Sequence, residues 1–198
     1  MLLFSAALLA GVAAATSAVS MENAASSMDC TPLIDFADGE EKARWQVVND
    51  GVMGGLSKGA LRFQDGALTF EGFINTNGGG FSSIRRYIEP GTLSDVVALR
   101  LNVKSDDRAY DISMRSSARY RGRRVAFQAP IPTSTTNEWN EMTVRFADLK
   151  ASLFGRPVSG AVFDASEVMQ IGVIIADGVD GDFKMQMRSI EICHAATV

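Results

Sequence analysis

Histidine is nearly missing from this chain: its 198 residues include one, His194, close to the C-terminal end. A Ser-His-Asp or Cys-His relay needs a base held firmly inside a fold, and a chain end that frays is a poor place for it. The two cysteines, Cys30 and Cys193, lack the paired spacing of a zinc site, so no metal is expected. Basic charge is not in excess either. Nineteen Lys and Arg against 23 Asp and Glu leave a net charge of −4 and a pI of about 5.0, which excludes an overall field for nucleic acid or anionic lipid. The acidic residues offer many carboxylate pairs, yet no spacing singles out an acid and a nucleophile for glycoside hydrolysis. Binding is therefore expected rather than turnover, with no cofactor.

Long apolar runs are also scarce. The one that exists is "MLLFSAALLAGVAAATSAVS", residues 1–20, with no charged side chain. Small residues at its end, Thr16-Ser17-Ala18, suit a peptidase, and the segment is read as a signal peptide followed by a leader over 21–32. An Arg-rich transit peptide is disfavoured because the first basic residue is Lys42. The alternative is an uncleaved membrane anchor. Export to a periplasmic or extracellular address is expected, with the remainder peripheral to a membrane at most. In an oxidising compartment Cys30 and Cys193 could close a loop of 163 positions, worth roughly 4–5 kcal/mol in the chain-entropy model. Two independent buried thiols are the other reading.

Helical periodicity is thin too. "FADLKASLF", Phe146 to Phe154, could make a turn or two, and "DASEV", Asp164 to Val168, opens like an N-cap. Elsewhere the period is two. In "VVALRLNVK" the residues Val97, Leu99, Leu101 and Val103 share one face; Leu68, Phe70 and Ile74 do so in "ALTFEGFI", as do Tyr110, Ile112 and Met114 in "AYDISMR". Ile171, Val173 and Ile175 follow, then Phe183, Met185 and Met187, then Ile190 and Ile192. Turn signals separate these runs: Asn49-Asp50-Gly51, Asp65-Gly66, Asn77-Gly78-Gly79-Gly80, Pro90-Gly91 and Asp177-Gly178. Short strands punctuated in this way predict an antiparallel sandwich or barrel in a single domain over 33–194.

Four segments invite chemistry. "WQVVNDGVMGGLSKG", Trp45 to Gly59, has P-loop glycine spacing, but Ala60-Leu61 stands where Lys-Ser/Thr is needed, so phosphate cradling is excluded. Asp50 and Ser57 can hydrogen-bond backbone amides and stiffen such a loop. "NTNGGGFSSIRRY", Asn75 to Tyr87, lets another chain approach a bare backbone, or is a tight turn with Phe81 in the core and one arginine paired to a carboxylate. "MRSSARYRGRRVAF", Met114 to Phe127, carries five arginines around Tyr120, suited to an anionic partner or to a solvated hairpin. "DGVDGDF" lacks the alternate ligand register of an EF-hand loop and is expected to be a hairpin turn.

The stretches "WQVVNDGVMGGLSKG" and "LTFEGFINTNGGGFSSIR", taken in order with "LRLNVKSDDRAYDISMR", "EWNEMTVRFADL" and "IGVIIADGVDGDFKMQMRSIEI", resemble the complex I intermediate-associated protein family over about residues 33–192. The resemblance implies an all-β fold, a galactose-binding-domain-like jelly roll. It also implies a non-enzymatic role as an assembly chaperone of the NADH:ubiquinone oxidoreductase, with complex I subunits or assembly intermediates as protein partners. Its signature positions here are Trp45, Asp50, Met53, Gly54, Gly55 and Ser57, then Gly79, Gly80, Phe81, Ser83 and Arg85, with Trp139 on a later strand. Asp50 and Arg85 are expected to face each other as a polar clasp beneath an exposed Met53. The alternative is an exported carbohydrate- or small-ligand-binding module. Exposed aromatics near Trp45, Tyr87 or Trp139 would favour it, whereas buried tryptophans with an apolar patch around Met53 would favour assembly.

Overall fold

The computed structural model describes residues 28–132 and 138–196, so the expected signal segment and the leader up to residue 27 lie outside the described residues. Among the described residues, thirteen strands form two antiparallel sheets packed face to face. In the first sheet, β3 (Lys58–Gln64), β4 (Ala67–Ile74), β13 (Gly181–His194), β6 (Val96–Ser105) and β9 (Asn140–Arg145) lie in that order, and β1 (Asp29–Asp35) pairs with the C-terminal half of β13. The second sheet runs β11 (Arg156–Pro157), β10 (Lys150–Leu153), β8 (Arg123–Pro130), β7 (Tyr110–Tyr120), β12 (Gln170–Ile175), β5 (Ser82–Tyr87) and β2 (Trp45–Asn49).

The alternation in the sequence makes the core. Leu68, Phe70, Ile74, Leu99, Leu101 and Met185 from one sheet meet Ile84, Ile112, Met114, Ile171, Val173 and Ile175 from the other, all fully buried. Two bulges between β13 and β6 adjust the phase there. One in β13, between Met187 and Ser189, carries the inward set from Phe183, Met185 and Met187 over to Ile190. The other leaves Val97 unpaired, because Cys193 sits opposite Ala98 and His194 opposite Val96; Val97 is exposed, contrary to the simple alternation. Cys30 and Cys193 are paired residues of β1 and β13 and are joined by a disulfide, which ties the two ends of the domain together.

Three local expectations are corrected. "FADLKASLF" is a single 3-10 turn, Phe146–Asp148, followed by strand β10, since Phe146 and Leu149 are drawn onto the core while Lys150, Ala151 and Ser152 pair with β8. "DGVDGDF" is no hairpin: it crosses from β12 in one sheet to β13 in the other, held by Arg108. The Arg108 guanidinium donates to both carboxylate oxygens of Asp177, at 2.6 and 2.8 Å, and to the carbonyls of Val179 and Asp182. Asp177 is held below the usual carboxylate range by that hydrogen bonding. Its carboxylate is thereby committed to Arg108, and no acidic or Cys/His cluster suited to a metal occurs among the described residues. Phe81 is not in the core; it is half-buried and lines a surface cleft. The "DASEV" turn forms, with Asp164 capping the Ser166 amide.

A carboxylate-centred knot at the edge of a concave cleft

Asp50 organises both glycine-rich segments. Its side chain is fully buried, and four donors converge on it: Ser57 N at 3.0 Å on Oδ1, then Ser57 Oγ at 2.6 Å, Gly80 N at 2.6 Å and Phe81 N at 3.3 Å on Oδ2. Burial works against the charge, but the Ser57 hydroxyl and the three amides outweigh it and hold the Asp50 pKa below the usual carboxylate value. The Asp50 amide donates in turn to the Phe81 carbonyl, and the Ser57 hydroxyl accepts from the Asn75 amide. A Cβ at Gly55 or at Gly79 would overlap this carboxylate, so both positions must be bare for it to fit. Gly54 and Gly80 meet a different need, with φ of 88° and 119°.

The expected clasp between Asp50 and Arg85 is therefore absent. Loop amides reach the Asp50 carboxylate, and Arg85 lies on the outer face of β5, in register with Gln46 and Gly172. Its neighbour Arg86 turns inward and is the arginine that finds a carboxylate. Nε and Nη2 of Arg86 donate to the two oxygens of buried Glu41 at 2.8 and 2.7 Å. The same Glu41 accepts from Trp45 Nε1 at 3.3 Å, and the Trp45 ring is buried against Phe36. Trp139 stands beside β9 in the first sheet with the Arg188 guanidinium 4.0 Å above its ring.

What the knot holds out is apolar. The 3-10 turn Asp50–Met53 exposes Val52 at 77% and Met53 at 54%. Both border a cleft of about 770 Å³ on the outer face of the second sheet. Leu153 and Phe154, from the β10–β11 hairpin at the other end of the strand order, border it too. Elements from the two ends of the strand order can line one cleft because the sheet curls, making this face concave. Val48, Arg85, Ile174, Asp111, Arg115 and Gln128 are among the residues that line the cleft between them. The Ser83 hydroxyl donates to the Val48 carbonyl at 3.1 Å, fixing β5 to β2.

Charge in the cleft is one-sided. Arg85, Arg115, Arg123 and Arg124 line it against a single carboxylate, Asp111. Burial and the nearby Arg115 draw Arg85 down to about 10, which leaves it cationic at neutral pH, and burial with Arg124 lowers Arg115. Burial raises Asp111.

A family model described as Complex I intermediate-associated protein 30 (CIA30) matches residues 34–187. The chain belongs to that family. No curated protein matches the chain closely enough to count as a relative. Among solved structures, the CIA30 domain here is similar to the family 11 carbohydrate-binding module from Clostridium thermocellum, in complex with a β-1,3-1,4-mixed-linked tetrasaccharide. The TM-score is 0.63 at 16% identity, over 87% of this chain and 100% of that one. The same organism's module of the cellulosomal cellulase Lic26A-Cel5E gives 0.62 at 15%, over 86% and 97%. An agarase is similar at 0.54 and 11%, over 85% of this chain and 25% of its own. These likenesses establish the jelly-roll sandwich of the CIA30 chain.

Of the family signature, the knot unites Asp50, Gly54, Gly55, Ser57, Gly79, Gly80 and Phe81, and the cleft takes Met53, Arg85 and, on its floor strand, Ser83. Trp45 belongs to the core and Trp139 to the other sheet. Arg115, Arg123 and Arg124 of the arginine-rich run also line the cleft, whereas Asp111 and Phe154 were missed as site residues. The inward set Tyr110, Ile112 and Met114 already implied that Asp111 and Arg115 share the opposite face; that β12 lies between β7 and β5 was not visible.

Proposed function

We propose that the protein is a non-catalytic binding protein that serves as an assembly chaperone of a membrane protein complex, and that the concave cleft is where it holds its partner. The observation that carries the reading is the cleft itself: exposed Val52 and Met53 at one end, Phe154 at the other, cations between, and the two tryptophans elsewhere. Apolar groups held out by a rigid knot suit a polypeptide surface. Membership in the CIA30 family supports complex I intermediates as the partner class. Export, the address proposed from residues 1–20, would restrict contact to exposed faces of the membrane arm.

A second reading, an exported glycan-binding module, is supported by the fold and by Tyr87, which is exposed on β5. The test is mass spectrometry of what co-purifies with tagged full-length protein from mildly solubilised native membranes, with the mature N-terminus read in the same run. Enrichment of complex I subunits supports assembly. Their absence, together with retention on mixed-linkage β-glucan, replaces assembly with the glycan reading.

A further inference from the structure

The cleft floor carries two guanidinium groups that no carboxylate of the described residues pairs, although Asp111 lines the same cleft. Among the described residues Arg85 and Arg115 form no ion pair and no hydrogen bond, and the Arg115 Nε is buried without a partner. Arg86, next in sequence, shows what the fold does when a guanidinium is to be neutralised: it supplies Glu41 in bidentate geometry. Buried or half-buried charges are ordinarily paired, because desolvation without a partner is unfavourable. The register explains how the two come together. Arg85 lies opposite Gly172 on β12, and Arg115 lies opposite Gln170 on the same strand, so the two flank a position that has no side chain. A Cβ at Gly172 would overlap the Ile84 carbonyl, so the floor there must stay bare. Around the pair, Gln46, Ser113, Gln128 and Ala126 are neutral, Asp111 shares the outward face of β7 with Arg115 but bonds to neither arginine, and Arg123 and Arg124 add further positive charge at the wall.

From this arrangement we infer that the cleft selects an acidic polypeptide segment, seating one Asp or Glu carboxylate on Arg85 and Arg115 while apolar residues flanking that carboxylate pack on Val52, Met53 and Phe154. The inference deepens the proposed function and rests on a polypeptide being the occupant. Paired guanidinium forks recognise a carboxylate through parallel N–H···O bonds, and half-burial of both arginines strengthens them. The apolar ends favour a peptide over an acidic glycan. Phe154 is 65% exposed, with the Arg123 guanidinium over its ring. An acidic glycan would meet the arginines but leave Val52 and Met53 without partners.

The probe is a random dodecapeptide phage library selected on the full-length protein, counter-selected on Arg85→Met, with Arg115→Met tested on the recovered peptides. Expected are sequences with Asp or Glu flanked by apolar residues, binding at least tenfold more weakly to either variant and to themselves once Asp or Glu is changed to Asn or Gln. Neither arginine has a structural partner, so both variants should melt no lower than the parent, which separates lost recognition from lost fold. No enrichment over Arg85→Met, or enrichment of neutral or basic sequences, overturns the inference. So does retention of polygalacturonate by the parent with no peptide selected. The membrane co-purification distinguishes the two levels. Acidic peptides without complex I subunits would remove the assembly role and keep the carboxylate seat, and the reverse would remove the seat alone.

Discussion

Replacing Asp50 by Asn keeps the shape of the side chain and removes only its charge and one acceptor, which makes the knot's electrostatics directly measurable. Asp50 accepts from Ser57 N on one oxygen and from Ser57 Oγ, Gly80 N and Phe81 N on the other. In either amide orientation the new NH2 group faces a backbone N–H: that of Ser57 in one, those of Gly80 and Phe81 in the other. At least one charge-assisted hydrogen bond, worth about 1.5–3 kcal/mol, is lost, and a buried amide is orphaned at about 1–3 kcal/mol. The expected loss is about 3–5 kcal/mol, a large share of the stability of an ordinary domain. Urea denaturation at pH 7 reads it. The pH dependence supplies the signature: because the folded-state pKa is depressed, the stabilisation is fully present above the unfolded value near 3.8 and disappears as pH falls through the lower folded value. The gap between parent and Asp50→Asn should be constant from neutrality to about pH 5 and narrow below about pH 4. A variant within about 0.5 kcal/mol of the parent at pH 7, or a gap indifferent to acid, would refute the knot as the organiser of these loops.

Gly79→Ala should cost about 2–4 kcal/mol, because its Cβ overlaps the Asp50 carboxylate. Combined with Asp50→Asn it should cost less than the sum, as a double-mutant cycle would record. Cys30→Ser, or reduction of the parent, should lower stability by about 2–5 kcal/mol, since the disulfide closes nearly the whole domain. Arg108→Ala should lower the melting temperature through loss of its bonds to Asp177, Val179 and Asp182, while leaving partner capture intact. Met53→Ser with Phe154→Ser should do the opposite, with stability unchanged and co-purified partner reduced severalfold.

Much of the sandwich was legible because strand alternation is a local property: Leu68-Phe70, Tyr110-Ile112-Met114 and Ile171-Val173-Ile175 all point into the core as their spacing requires. Val97 escaped, since a bulge depends on what the partner strand does. The stiffening role of Asp50 and Ser57 was also legible, being a property of short polar side chains in glycine loops. The partner of Arg85 was not. Opposite charges in neighbouring segments suggest a pair, but the loop amides reach Asp50, and Arg85 and Arg86 point to opposite faces of β5, which gives Glu41 to Arg86. Nor could the cleft be read from the chain, because it exists only where β2 and the β10–β11 hairpin, more than a hundred positions apart, curl over one sheet face.

The central claim is that the partner sits in this cleft, and site-specific crosslinking in native membranes tests it most directly. A photo-reactive benzoylphenylalanine at Met53 should yield a covalent adduct with a membrane-complex subunit, and the same group at Lys184, exposed on the other sheet, should yield none. Adducts from Lys184 and not from Met53 would place the partner on the opposite face and contradict the account.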